Sequence, residues 1–206
     1  MPTLAEGGED RVLTVPNLIT ALRLASLPLY LWLLLARDDR VAAAVLLGAL
    51  GATDWCDGYV ARHFHQVSNL GKILDPVADR VLFFVGIVGI IVVDGAPLWF
   101  SVLVLAREAV ISVATVTLAV LGASRIDVTW FGKAGTFGLM FAFPLFLGGT
   151  SEAAAAPALW VLGYLTGIPG LVLSYYAAVL YAPIGLRALR EGRAARAAPQ
   201  GAGRGG

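Results

Sequence analysis

Two pairs of aspartates carry most of the chemistry that this chain could perform. Asp54 and Asp57 are three positions apart and Asp75 and Asp79 are four apart, so each pair would share one face of a helix. Carboxylate oxygens are ligands that Mg2+ and Mn2+ favour. Four of them within 26 residues predict a site for one or two divalent ions. Because Mg2+ usually bridges carboxylates to phosphates, the spacing indicates a phosphate-bearing substrate.

The aspartates lie between strongly apolar segments. The 206 residues are 58% hydrophobic and 14% charged, whereas soluble domains are about 45–50% apolar and about 25% charged. A carboxylate near the bilayer centre costs roughly 2.5–3.5 kcal/mol on insertion scales, so the acids need a partner that offsets this cost. Ion pairs with Arg62, Lys72 and Arg80 are the alternative to a metal site, and two spaced pairs favour metal.

The apolar segments predict an all-α, polytopic membrane protein, a single bundle of six transmembrane helices. Each segment must be helical, because open backbone finds no hydrogen-bond partner in lipid. The predicted spans are 16–36, 41–62, 75–93, 98–122, 133–149 and 159–186. They make up a membrane domain, 16–186, between a polar tail, 1–15, and an Arg-, Ala- and Gly-rich tail, 187–206, that we expect to be disordered. No cleavable signal peptide is predicted.

The third span has two possible starts because Pro76 follows Asp75. Either the helix begins at Pro76 with Asp75 as its N-cap, or it begins near Ser68 and bends at the proline. Both alternatives leave Asp75 and Asp79 on one face.

Basic residues predict the orientation of the bundle. Arg37 and Arg40 fall on one side of a six-span arrangement. The other side carries Arg11, Arg62, Lys72, Arg125, Lys133, Arg187, Arg190, Arg193 and Arg196. Since cytoplasmic loops carry the excess of Lys and Arg, we expect a multi-pass protein of the cell membrane with both termini and the aspartates on the cytoplasmic side. The net charge of +1 gives no indication of a nucleic-acid partner.

The aspartates and their neighbours resemble the signature of the CDP-alcohol phosphatidyltransferase family. That signature is D-x2-D-G-x2-A-R, eight residues, then G-x3-D-x3-D, and every spacing is matched. The matching positions are Asp54, Asp57, Gly58, Ala61, Arg62, Gly71, Asp75 and Asp79. The six-span layout extends the resemblance to nearly the whole chain apart from its tails. It implies an enzyme that transfers a phosphatidyl group from a CDP-linked lipid, usually CDP-diacylglycerol, to an acceptor hydroxyl and releases CMP.

The resemblance also implies roles for these residues. The four aspartates would bind Mg2+ or Mn2+, as two ions, and Asp79 is the family's proposed general base for the acceptor hydroxyl. The cytidine nucleotide pocket would be lined by Asp57, Gly58, Ala61, Arg62 and Gly71. The resemblance further implies a homodimer, and we expect this homodimer to be in contact with membrane lipids.

The acceptor is indicated by weaker features. The segment 15–23 is similar to the phosphatidylglycerophosphate synthase and cardiolipin synthase branch of the family. Arg107, beside Glu108 in the fourth span, and Lys133, at the start of the fifth, are candidates for binding an acceptor phosphate, and Arg23 is a third. The structural alternatives are that Arg107 is neutralised within the bundle and that Lys133 is an interfacial lysine.

Arg107-Glu108 followed by Gly132-Lys133 resembles the glycerophosphate-using enzymes, so sn-glycerol 3-phosphate is the expected acceptor. Those enzymes usually carry a second lysine two positions further on, where this chain has Gly135. Phosphatidylglycerol, which would give cardiolipin, and a polyol phosphate such as inositol phosphate therefore stay as alternatives.

Two other classes of protein use similar acids. An intramembrane prenyltransferase also has two aspartate-rich motifs, but these are normally far apart, whereas twelve residues separate Arg62 from Asp75. A divalent-cation transporter could use the acids as a translocation site. Transporters often contain internal repeats and mid-membrane helix breaks, whereas this sequence has one copy of the motif, at predicted span ends.

Overall fold

The computed structural model describes residues 15–64, 69–121 and 129–197, and over these residues the chain is all-helical. Side chains are described except at 15–17, 19, 54–64, 69–77, 79, 119, 182, 186 and 190–197. The helices are α1 (Val15–Leu31), α2 (Arg40–Phe64), α3 (Asn69–Val92), α4 (Leu98–Val120), α5 (Trp130–Gly149) and α6 (Ala156–Ala197). A π-helical turn, Trp32–Ala36, extends α1.

Each predicted span corresponds to one helix, which confirms the all-α fold class. Three described helical segments are long and apolar enough to cross a bilayer: Leu98–Leu118, Trp130–Gly149 and Ala156–Leu189. Shorter apolar segments are Thr20–Ala36, Arg40–Thr53 and Arg80–Val92. The helices support a membrane protein, and the count of six crossings stays a prediction.

The chain divides into two compact units, and the first comprises Met1–Ser101 and Met140–Leu165. Within it, α1 packs against both α2 and α3. Tyr30 of α1 is fully buried, and its hydroxyl donates a hydrogen bond to the Gly86 carbonyl of α3 at 3.0 Å. A Cβ at Gly89 would lie 3.4 Å from the Tyr30 ring, so this glycine permits close packing. The contacts fix α1 against the helix that carries Asp75 and Asp79.

Aromatic rings fill another part of the first unit. Phe146 of α5 has ring centroid distances of 5.2, 5.2 and 5.0 Å to Phe100, Trp160 and Tyr164. All three pairs meet edge to face, an arrangement that aromatic pairs prefer. A Cβ at Gly163 would lie 2.7 Å from the Phe146 ring, so the glycine lets α6 approach it. This cluster joins the beginnings of α4 and α6 to the end of α5.

The end of α3 is fixed by two backbone hydrogen bonds. The Gly95 N–H donates to the Ile90 carbonyl at 2.8 Å, and the Asp94 N–H donates to the Ile91 carbonyl at 3.2 Å. Asp94 has a φ of 51°, so the pair of bonds forms a Schellman ending with aspartate at the left-handed position. The chain therefore turns sharply after α3, before α4 begins at Leu98.

The second unit comprises Val102–Leu139 and Thr166–Gly206, and in it α5 and α6 cross at small residues. A Cβ at Gly135 would lie 2.7 Å from the backbone nitrogen of Ser174, and one at Gly138 would lie 3.0 Å from the Gly170 Cα. These neighbours are backbone atoms, which cannot move aside as a flexible side chain can. The later α5 residue faces the earlier α6 residue, so the two helices are antiparallel here.

Candidate active site

The aspartate motif lies on two consecutive helices of the first unit. Asp54 and Asp57 are near the C-terminal end of α2, and Asp75 and Asp79 are in the N-terminal half of α3. Because α3 begins at Asn69, Asp75 lies inside the helix and is not its N-cap. Each pair therefore keeps its one-turn spacing on a continuous helix, as the sequence predicted.

The nucleotide-pocket positions occupy the same two helix segments. Gly58, Ala61 and Arg62 lie on α2, and Gly71 lies on α3. The side chains of these residues and of the four aspartates lie outside the described part, so their roles stay predictions. Among the side chains that the structure does describe, no group of three or more His, Cys, Asp or Glu could hold a metal ion.

Arg107 is a buried cation on α4. Its side chain is 8% exposed, and its Nη1 donates to the Glu108 carboxylate at 2.8 Å. The buried Nε has no hydrogen-bond partner within the described residues. A guanidinium offers five N–H donors, so pairing with Glu108 uses only part of its capacity. Arg107 therefore combines the predicted neutralisation within the bundle with a donor that remains available to an anion.

The turn before Arg107 is held from α6. The hydroxyl of Tyr175 donates to the carbonyl of Leu103 on α4 at 2.8 Å. In a regular α-helix this carbonyl also accepts the N–H four residues later, which here belongs to Arg107. The tyrosine thus binds the peptide group that anchors the arginine.

Lys133 is exposed in the first turns of α5. Thr129 caps this helix, because its hydroxyl accepts the Gly132 N–H at 3.2 Å. The Lys133 N–H donates to the Thr129 carbonyl at 3.2 Å. The Thr129 N–H in turn donates to the hydroxyl of Tyr181 on α6 at 2.9 Å. The start of α5 is therefore held by Tyr181, a second tyrosine of α6.

The three candidate cations are divided between the units. Arg23 is buried on α1 in the first unit, and so is Thr20 one turn before it. Arg107 and Lys133 belong to the second unit, where both are next to contacts with α6. The two tyrosines were not predicted from the sequence. Their hydroxyls, which are polar groups in a long apolar helix, were the one signal in the sequence that could have indicated these contacts. Such groups usually find a hydrogen-bond partner.

Gly135, which stands where the glycerophosphate-using enzymes usually carry a second lysine, lies at a helix crossing. A Cβ at Gly135 would lie 2.7 and 2.9 Å from backbone atoms of Ser174 and 3.0 Å from the Gly170 carbonyl oxygen. Real Cβ atoms essentially never come within 3.0 Å of a heavy atom outside their own residue and its neighbours in the chain. A lysine could enter this position only if α5 and α6 moved apart, so the absence of the second cation is part of the packing.

Comparison with known proteins gives the family to which the chain belongs. A sequence model described as CDP-alcohol phosphatidyltransferase matches residues 13–181. The chain belongs to this family. It is a phosphatidyltransferase of phospholipid biosynthesis, and the resemblance of the aspartate motif is confirmed. Membership favours the enzyme over the cation transporter and the prenyltransferase.

Relatives of the phosphatidyltransferase carry two kinds of name. Cardiolipin synthase (CMP-forming) of Streptomyces coelicolor is 39% identical over 177 residues, covering 84% of this chain and 82% of the relative. A Mycobacterium tuberculosis (strain H37Rv) protein with a provisional cardiolipin synthase name is 36% identical over 201 residues, covering 95% and 96%. CDP-diacylglycerol–glycerol-3-phosphate 3-phosphatidyltransferase of Bacillus subtilis is 31% identical over 176 residues, covering 76% and 91%.

Proposed function

We propose that this phosphatidyltransferase uses CDP-diacylglycerol as donor and phosphatidylglycerol as acceptor, and so forms cardiolipin and CMP. The observation that carries this choice is Gly135, whose contact with the α6 backbone leaves no room for the second lysine of the glycerophosphate-using enzymes. The relatives named for cardiolipin synthesis are 39% and 36% identical, compared with 31% for the glycerol-3-phosphate enzyme, which supports the same acceptor.

The four aspartates, Asp54, Asp57, Asp75 and Asp79, are the proposed ligands of two Mg2+ or Mn2+ ions. Their donor atoms are all carboxylate oxygens, which suit these ions, and their one-turn spacings on consecutive helices suit a shared site. Bound ions would stabilise the negative charge that develops on the phosphoryl and leaving-group oxygens.

Asp79 is the proposed general base of the transfer. It would take the proton of the acceptor hydroxyl, whose oxygen forms a bond to the phosphorus that carries the diacylglycerol. The bond between this phosphorus and the bridging oxygen of the diphosphate then breaks, and CMP leaves with that oxygen. The glycines and small side chains at Gly58, Ala61 and Gly71 would allow the cytidine diphosphate to approach the helices, with Asp57 and Arg62 beside it.

Arg107 and Lys133 are the proposed ligands of the acceptor phosphate, and Arg23 is a third candidate. The buried Nε of Arg107, which has no partner among the described residues, is a donor suited to a phosphate oxygen. Lys133 is exposed near the start of α5, where its ammonium group can reach a charged headgroup.

The proposed arrangement in the membrane is six crossings in the cell membrane, with both termini and the aspartates on the cytoplasmic side. The three long apolar helices and the three shorter apolar segments support the count, and the distribution of Lys and Arg supports the orientation. A homodimer is proposed from the family resemblance.

Glycerol 3-phosphate is the second candidate acceptor. The Bacillus subtilis relative named for it is 31% identical, and this chain covers 91% of its length. The neighbouring Arg107 and Glu108 followed by Lys133 also resemble the enzymes that use it.

An acceptor panel tests the proposal. Purified enzyme with CDP-diacylglycerol and Mg2+ should release CMP when phosphatidylglycerol is supplied, with one cardiolipin formed per CMP by mass spectrometry. Reactions with glycerol 3-phosphate and with inositol phosphate are the matched controls and should remain at the level without acceptor. Formation of phosphatidylglycerophosphate would replace the proposed acceptor by the second candidate, and absence of CMP with every acceptor would overturn the enzyme's proposed donor.

A further inference from the structure

We infer that the hydroxyls of Tyr175 and Tyr181 on α6 are positioning groups for Arg107 and Lys133, and thereby tune recognition of the acceptor's phosphate group. The inference rests on the proposed acceptor-binding role of the two cations. Neither tyrosine needs to touch a substrate, because each acts through the backbone of the helix that carries a cation.

The two contacts share one pattern. Tyr175 binds the carbonyl of Leu103, which is four residues before Arg107, at 2.8 Å. Tyr181 binds the N–H of Thr129, which is four residues before Lys133, at 2.9 Å. Four residues are about one helical turn. Each hydroxyl is therefore hydrogen-bonded to a backbone group one turn before the cation.

At the start of α5, the contact is part of a chain of hydrogen bonds. The Tyr181 hydroxyl accepts the Thr129 N–H, and the Thr129 hydroxyl and carbonyl accept the N–H groups of Gly132 and Lys133. A Cβ at Gly132 would lie 3.0 Å from the Tyr181 hydroxyl, so the glycine leaves room for it. Loss of the hydroxyl would free the N–H of the capping residue and loosen the turn from which Lys133 extends.

On α4, the contact acts on a helix whose apolar span is largely exposed within the described residues. The apolar span Leu98–Leu118 has 17% of its most hydropathic segment buried, compared with 44% for Trp130–Gly149. Arg107 is nevertheless buried, and its position relative to α6 depends on how α4 is held against that helix. The bond from Tyr175 to Leu103 is a direct polar tie from α6 to this part of α4.

The variants are Tyr175→Phe and Tyr181→Phe, which keep the ring and remove the hydroxyl. Tyr176→Phe is the matched control, because its ring packs edge to face on Phe131 at 5.2 Å and the substitution removes a hydroxyl from the same stretch of α6. Steady-state kinetics in mixed micelles should show the KM for phosphatidylglycerol raised about 3–10-fold by each of the first two variants, the effect expected for losing one hydrogen bond. The kcat, the KM for CDP-diacylglycerol and all constants of the control should stay unchanged.

Double variants distinguish positioning from general loosening of the fold. Tyr181→Phe should add nothing to the acceptor KM of Lys133→Gln, and Tyr175→Phe should add nothing to that of Arg107→Gln. In the crossed pairs, the fold-increases in acceptor KM of the two single variants should multiply, since independent sites are additive in free energy. These pairs are Tyr181→Phe with Arg107→Gln and Tyr175→Phe with Lys133→Gln. If all four pairs multiply, or if the tyrosine variants change both KM values alike, the inference is overturned.

The acceptor panel with the wild-type enzyme separates failure of the tyrosines' positioning role from failure of the proposed acceptor. If glycerol 3-phosphate is the acceptor used, the same variants are measured with it, because its phosphate offers the same chemistry to the cations. Unchanged acceptor KM in both Arg107→Gln and Lys133→Gln would overturn the acceptor site and the inference together.

Discussion

At the scale of single residues, the proposed chemistry depends on a proton acceptor and on buried charge. Asp79 is the proposed base, and its helix, α3, is tied to α1 through the buried Tyr30 hydroxyl. Arg107 illustrates how a buried charge is retained: Glu108 neutralises it at 2.8 Å while Nε stays without a described partner. A buried donor without a partner costs about 1–3 kcal/mol, which an acceptor's phosphate oxygen would offset upon binding.

Asp79→Asn should lower kcat by about 10²–10⁴-fold, the usual contribution of a general base, because the amide cannot take the hydroxyl proton. Binding of CDP-diacylglycerol, measured by equilibrium titration, should change little. Asp94→Asn is the matched control, since asparagine tolerates the left-handed conformation of this turn and the residue lies at the far end of α3. Full turnover by Asp79→Asn would remove it as the base.

At the scale of helices, small residues decide which faces can meet. In the second unit, Gly135 and Gly138 bring the α5 backbone against α6 at Gly170 and Ser174. Gly48 on α2 is different, because a Cβ there would lie 3.6 Å from the Pro144 side chain, an ordinary van der Waals distance. Substitution at the two kinds of glycine should therefore have opposite consequences.

Gly135→Ala should lower thermal stability in detergent and reduce activity, because its Cβ would overlap backbone atoms and overpacking typically costs about 1–3 kcal/mol. Gly48→Ala should be neutral or stabilising by up to about 1 kcal/mol, since alanine is the better helix former. Thermal unfolding followed by circular dichroism measures both. A Gly135→Ala protein as stable as Gly48→Ala would contradict the close crossing.

The sequence predicted those features that depend on local pattern. Apolar runs gave the helices, and the aspartate spacing gave the family, because both lie within short stretches of chain. The start of α3 could not be decided, since Pro76 is compatible with both alternatives. The contacts of Tyr175 and Tyr181 could not be foreseen, because their partners are 72 and 52 residues away and depend on how helices pack. The importance of Gly135 likewise required the position of α6.

At the scale of the whole molecule, the membrane determines how the helices are used. Leu98–Leu118, Trp130–Gly149 and Ala156–Leu189 can each cross a bilayer by length and composition. The final helix continues to Ala197, past residue 186 where the last span was predicted to end. Its 42 residues correspond to about 63 Å at 1.5 Å per residue, whereas the hydrocarbon core is about 30 Å thick. Part of α6 must therefore extend beyond the membrane core.

Cysteine accessibility tests the proposed orientation. In a Cys56→Ser background that retains activity, Glu152→Cys should react with a membrane-impermeant maleimide in intact cells, because this exposed residue between α5 and α6 lies on the predicted outer side. Arg187→Cys, also exposed, should react only after the membrane is permeabilised. Reaction of Arg187→Cys in intact cells would reverse the topology and move the aspartates to the outer side.

The crossing at Gly135 also constrains how this enzyme can evolve. Every residue that can replace glycine carries a Cβ, so each mutational path toward lysine at this position begins with a clash against the α6 backbone. Relief would require α6 to shift, and Tyr175 and Tyr181 would shift with it. A change of acceptor through residue 135 would therefore be epistatic, because compensating substitutions on α6 would have to come first. In a lineage with this crossing, acceptor specificity is more readily changed at Arg107 or Lys133.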